Sequence, residues 1–127
     1  MNVHITHIDT ACILLEINGY RILTDPTLDK AGGFYYHGYG SASHKTSDPA
    51  VAISDLKGID LVLLSHHQHK DNFDINGKAF TRGVSKVIST VAAAKAMKGI
   101  IGLKNWQTQP IDTDKVPNLR ITATPAQ

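Results

Sequence analysis

One passage constrains this chain more than any other. Ile59 to Leu64 is a compact, mainly apolar run, and Ser65 to Asp74 then turns abruptly polar. The run has the length and composition of a buried strand. The polar half holds His66, His67, His69, Asp71 and Asp74, three histidines and two aspartates within nine residues. Layered α/β folds place their ligand sites directly after such strands. Neutral imidazoles and carboxylates are the donors that divalent transition metals prefer, so His67, His69 and Asp71 are candidate metal ligands. On a helix, positions i and i+2 point about 200° apart and cannot share an ion. On an extended segment, i, i+2 and i+4 point the same way. The motif therefore belongs on a strand-end loop; the competing reading is a polar loop carrying helix-capping residues.

The rest of the chain supplies elements around that loop. Val3 to Ile8 alternates apolar and polar residues and reads as a half-buried strand. Cys12 to Ile17 and Tyr20 to Leu23 read as two strands joined by Asn18-Gly19, a pair that tolerates the positive φ of a tight hairpin turn. Pro26 ends the second strand, because it cannot donate to a sheet ladder. Lys30 to Pro49 is expected to be a long irregular stretch, holding Tyr35, Tyr36, Tyr39, His37 and His44. Asp48-Pro49 resembles a helix start, with the helix ending near Lys57-Gly58. Lys86 to Ser89 is a short strand, Thr90 to Lys98 a helix capped by Thr90 and stopped by Gly99, and Leu119 to Ala123 a last strand. A meander followed by alternating helix and strand implies a layered α/β or α+β domain.

Bulk properties narrow the function classes. A chain of 127 residues has the length of one domain. Its formal net charge is only +2 with scattered lysines, so nothing resembles a footprint for nucleic acid or an acidic membrane. The single cysteine, Cys12, excludes an internal disulfide framework and reads as a buried inert thiol. The N-terminus lacks a signal-peptide pattern, and no apolar run would span a bilayer. A cytoplasmic protein acting on a small-molecule substrate, with no nucleic-acid or membrane partner, is the expectation.

The stretch from Ser65 to Asp74 resembles the S-H-x-H-x-D-H signature of the metallo-β-lactamase superfamily. The opening is similar as well. Ile5 to Glu16 followed by Gly19 to Thr24-Asp25-Pro26 looks like the start of the branch containing ascorbate-6-phosphate lactonases and N-acylphosphatidylethanolamine phospholipases. The resemblance covers essentially the whole chain. It implies an α+β fold, the N-terminal half of a four-layer αββα sandwich, with residues 1–127 an incomplete single domain cut on its C-terminal side. It also implies His67 and His69 as ligands of a first zinc, and Asp71 either on a second metal or orienting the attacking water. Ser65-His66 stands where the family has Ser-His, so His66 is the alternative first ligand; the i, i+2 spacing favours His67. Asn72 stands where the family has a further histidine, and an amide is a poor zinc ligand. One metal, or a second ion that prefers oxygen donors such as manganese, becomes the expectation. The family's next histidine follows a Thr-Pro-Ala-like segment, and Thr124-Pro125-Ala126 stands at that place.

Two further carboxylates flank the motif. Asp25 resembles a family position near the metal, or is simply an Asp-Pro turn residue. Asp74 reads either as a partner fixing a histidine tautomer or as a helix cap. The implied chemistry is hydrolysis of an ester, lactone or phosphodiester by a metal-activated water, with Asp71 holding that water and carrying its proton. Asn72 favours the alternative, a metal-binding or interaction protein without turnover. A third expectation is an inert fragment that pairs with its missing half or forms a homo-oligomer.

Overall fold

The computed structural model describes residues 1–29, 34–38, 41–44, 53–67 and 73–126. Its centre is a six-stranded sheet built from β1 (Val3–Asp9), β2 (Cys12–Ile17), β3 (Tyr20–Thr24), β6 (Leu61–Leu63), β7 (Val87–Thr90) and β8 (Ile100–Leu103), hydrogen-bonded in that order. The first three strands form an antiparallel meander. The remaining pairings, β3 with β6, β6 with β7 and β7 with β8, are all parallel. The β2–β3 turn forms as its residues dictate: Asn18 and Gly19 take φ of 48° and 81°, the twist that lets two strands fold back tightly.

Parallel neighbours need crossovers, and helices supply the last two. Helix α1 (Ile75–Thr81) links β6 to β7, and α2 (Val91–Ala96) links β7 to β8. Asp74 caps α1 by accepting from Gly77 N at 2.8 Å, and Thr90 caps α2 by accepting from Ala93 N at 3.0 Å. The helix ends earlier than expected, at Ala96 with Met97 as an extended C-cap, and Gly99, at φ 80°, serves the turn into β8 instead of stopping the helix.

Side-chain alternation sorts the core into two layers. One face of the sheet presents Leu14, Leu23, Val62 and Val87, which join Leu28, Leu56 and Phe80 of α1. Gly102 of β8 lets α2 approach on the same face, since a Cβ there would lie 2.8 Å from Ala94 Cβ. The other face presents Tyr20, Ile22, Leu61, Ile88 and Leu103. It is covered by a hairpin of β9 (Thr108–Pro110) and β10 (Arg120–Thr122), with Ile111, Val116 and Leu119 packed inward. Helices, mixed sheet and hairpin thus stack in that order, an α+β arrangement matching one side of an αββα sandwich.

Several expectations are corrected. The stretch after Lys30 is not simply irregular, because β4 (Phe34–Gly38) and β5 (Ser41–His44) pair antiparallel within it. Asp48 and Pro49 lie outside the described residues; the described part of the expected helix is one 3₁₀ turn at Ile53–Asp55, followed by Gly58 at φ 71°. Helix α1 and strands β8 and β9 were not anticipated. Ile75, Asn76 and Gly77 open α1 with poor helix formers, so the element depends on its cap and its tertiary contacts. Strand β9 is only three residues long and ends in proline, too short for a periodic signal. Cys12 is fully buried, as expected. Among the described residues, no helix is long and apolar enough to cross a membrane.

Candidate metal centre

The carboxyl ends of the four parallel strands converge on one cleft of about 700 Å³. Thr24 and Asp25 come from the end of β3, Leu63 to His66 from β6, Ser89 and Thr90 from β7, and Leu103 and Asn105 from β8. Thr124, Pro125 and Ala126, leaving β10, line its rim. The volume lies within the range of small-molecule sites, and strand carboxyl ends are where such sheets bind ligands.

Hydrogen bonds fix the start of the histidine loop. Leu64 N donates to Ile88 O at 3.0 Å, continuing the ladder one residue past β6. Ser89 Oγ donates to Leu64 O at 2.8 Å from a buried position. Ser65 N then donates to Asp25 Oδ1 at 2.7 Å, a charge-assisted bond across the cleft floor. Asp25 is 8% exposed and takes φ of 36°, a left-handed conformation that aspartate tolerates better than most residues. It is therefore more than a turn residue, since its carboxylate holds the first backbone N–H of the loop.

His66 and His67 leave this anchor differently. His66 lines the cleft, and its Nδ1 lies 2.9 Å from Ser65 Oγ. His67 Nδ1 is buried and has no hydrogen-bond partner among the described residues. A buried imidazole nitrogen without a partner is costly, and an ion is one of the few things that relieves it. The donor chemistry fits a divalent transition metal: soft-to-intermediate imidazole nitrogens with nearby carboxylates. His69, Asp71 and Asn72 lie outside the described residues. Among the described residues, no group of three or more such donors comes together.

The loop ends at Phe73 and Asp74, which are 1% exposed each. Asp74 Oδ1 accepts from Leu28 N at 2.8 Å as well as from Gly77 N, and Oδ2 accepts from Asp29 N at 2.7 Å. Asp74 is thus a helix cap that also binds the segment following β3. Its capping role was legible from the sequence; its bonds to Leu28 and Asp29 were not, because those residues lie 46 and 45 positions away. His7 stays on β1 and bonds the carbonyl of Thr10 through Nε2 at 3.0 Å.

Burial pushes the Cys12 thiol up from about 9 to about 11; the nearby charges of Asp74, Asp9 and Asp25 add to the rise, while a backbone hydrogen bond from Thr27 opposes it. A thiol so placed stays protonated near neutrality and offers neither a nucleophile nor a thiolate ligand.

Fold and cleft define a layered α+β domain with a histidine loop at the carboxyl end of its parallel strands. The chain belongs to the beta-lactamase superfamily domain family, whose model matches residues 4–122. Two solved structures share the fold. One is the isothiocyanate hydrolase from Delia radicum gut bacteria, at 24% identity and a TM-score of 0.60, covering 80% of this chain and 42% of that one. The other is Igni18, described as a novel metallo hydrolase from the hyperthermophilic archaeon Ignicoccus hospitalis KIN4/I, at 23% identity and a TM-score of 0.66, covering 98% and 48%. The chain spans less than half the length of either. No curated protein matches it.

Proposed function

We propose that this chain carries the metal-binding loop of a divalent-metal-dependent hydrolase, with His67, His69 and Asp71 as the residues that hold the ion. The observation that carries the reading is the buried Nδ1 of His67, without a hydrogen-bond partner among the described residues, one position after His66 of the strand-end cleft. Family membership and the two structural neighbours support hydrolysis as the class of reaction. His67 is preferred over His66 as first ligand because it restores the i, i+2 spacing to His69 and its buried Nδ1 has no partner among the described residues. When bound, a zinc or manganese ion supplies Lewis acidity and a water whose pKa falls from near 16 to about 7.

The chain's own residues do the rest. Asp25 and Ser89 hold the backbone that presents the histidines, which limits the reorganisation needed on ligation. Asp71 orients the attacking water and takes up its proton. Apolar walls from Leu63, Ile88, Leu103 and Ile121 exclude bulk water around the substrate. A small ester, lactone or phosphodiester suits a cleft of this size. In a protein of the neighbours' length, chain following Ala126 would enter the cleft at its rim and bring further donors.

The test is metal analysis of the whole protein, with hydrolysis of a panel of esters, lactones, phosphodiesters and an isothiocyanate. The expectation is bound zinc or manganese and turnover of at least one class, with His69→Ala losing most of the metal. Retention of stoichiometric metal by His69→Ala would rule out the assigned ligand set. Metal without turnover on the panel would favour the binding-protein reading, for which Asn72 is the supporting residue.

A further inference from the structure

Both ends of the histidine loop are tied to the same short segment, residues 25–29. At the entry, Ser65 N donates to Asp25 Oδ1 at 2.7 Å. At the exit, Asp74 N donates to Pro26 O at 3.2 Å, and the Asp74 carboxylate accepts from Leu28 N and Asp29 N at 2.8 and 2.7 Å. One turn further, Asn76 N donates to Asp29 Oδ1 at 2.7 Å. Gly77 leaves room for this closeness, since a Cβ there would lie 1.9 Å from Pro26 O. Five hydrogen bonds, three of them to the backbone N–H or carbonyl groups of segment 25–29, thus tie Ser65, Asp74 and Asn76 to that segment.

We infer that this set of bonds is a mechanical staple and that Asp74 is a positioning residue for the loop's far end as well as its own. Segment 25–29 is the shared base. Loosening it at Asp29 shifts Asp25, which receives the N–H of Ser65 at the loop's start. A helix cap with no further role would affect α1 and leave Ser65 untouched. The relevance of the staple to ion binding rests on the metal-loop reading above; its mechanical content does not.

Asp74→Asn separates the two roles. The amide oxygen keeps the bonds from Gly77 N and Leu28 N, so α1 stays capped. The amide nitrogen then faces Asp29 N–H, donor against donor, and that bond is lost. Val116→Ala is the control, a core truncation in the hairpin layer away from the loop. Amide hydrogen exchange is measured on the metal-free whole protein, both variants being checked for equal retention of secondary structure. In Asp74→Asn, Asp29 and Ser65 are expected to exchange about tenfold faster than in Val116→Ala, the loss expected for one bond to a charged group. An unchanged Ser65 amide overturns the staple. Zinc titration of the same proteins then gives an affinity about tenfold weaker for Asp74→Asn, against little change for Val116→Ala. Faster Ser65 exchange with no zinc binding even by the unaltered protein keeps the staple and removes the metal reading instead.

Discussion

Gly77→Ala is the sharpest test of how the fold is held near the site. Glycine within a helix usually weakens it, so alanine should stabilise α1 by about 1 kcal/mol on propensity alone. The structure reverses that sign. The added Cβ would lie 1.9 Å from Pro26 O, 2.7 Å from Pro26 C and 3.0 Å from Asp74 Oδ1. The first two atoms are backbone, so no side-chain rotation relieves the overlap. Relief needs α1 to withdraw from the end of β3 by about 1 Å or more, which is off the scale of ordinary interior adjustment. A movement of that size stretches the bonds from Leu28 N and Asp29 N, now 2.8 and 2.7 Å, and that from Asp74 N to Pro26 O, now 3.2 Å, beyond useful length. Three hydrogen bonds at about 1 to 1.5 kcal/mol each outweigh the propensity gain. The net expectation is a loss of roughly 2 to 3.5 kcal/mol. Urea unfolding of the whole protein, followed by far-UV circular dichroism, reads this as a lower midpoint with an unchanged slope. A midpoint equal to or above that of the unaltered protein would refute the close approach of α1 to Pro26.

Further predictions concern other parts of the molecule. Gly19→Ala places a Cβ at φ 81° in the hairpin turn, and should cost about 1 to 2 kcal/mol by the same unfolding assay although the space around it is open. Cys12 should resist alkylation at pH 8 in the folded protein and react fully in urea, because it is buried and its thiol is held up near 11. The same shift has a pH signature. The folded state keeps its proton while the unfolded thiol loses it, so this contribution is complete below about pH 9 and is lost as pH rises through about 11. Stability should fall by roughly 2 to 3 kcal/mol across that window, and Cys12→Ala should flatten the fall relative to the unaltered protein.

How much of this was legible in the residues depends on the range of the signal. The hairpin at Asn18-Gly19, the apolar strand before the histidines and the Thr90 cap are all local chemistry. Each acts within one turn or one strand, so a short window of sequence contains its cause. The strand-end position of His66 and His67 is local in the same sense, because they directly follow the apolar run that forms β6. Helix α1 is the opposite case. Its first residues, Ile75-Asn76-Gly77, argue weakly for a helix, and what holds it is a cap that also reaches Leu28 and Asp29, plus a glycine pressed against Pro26.

Taken by itself, the sequence determined the strand meander and the strand-end position of His66 and His67. Tertiary structure alone decided which carboxylate does what: Asp25 holds Ser65, and Asp74 holds both a helix and a distant turn. It also decided which imidazole nitrogen, among the described residues, is left buried without a partner. The reason is physical. A side chain's identity states what bonds it is able to make, but parallel strand pairing brings together groups some 40 residues apart, and only that pairing selects among them.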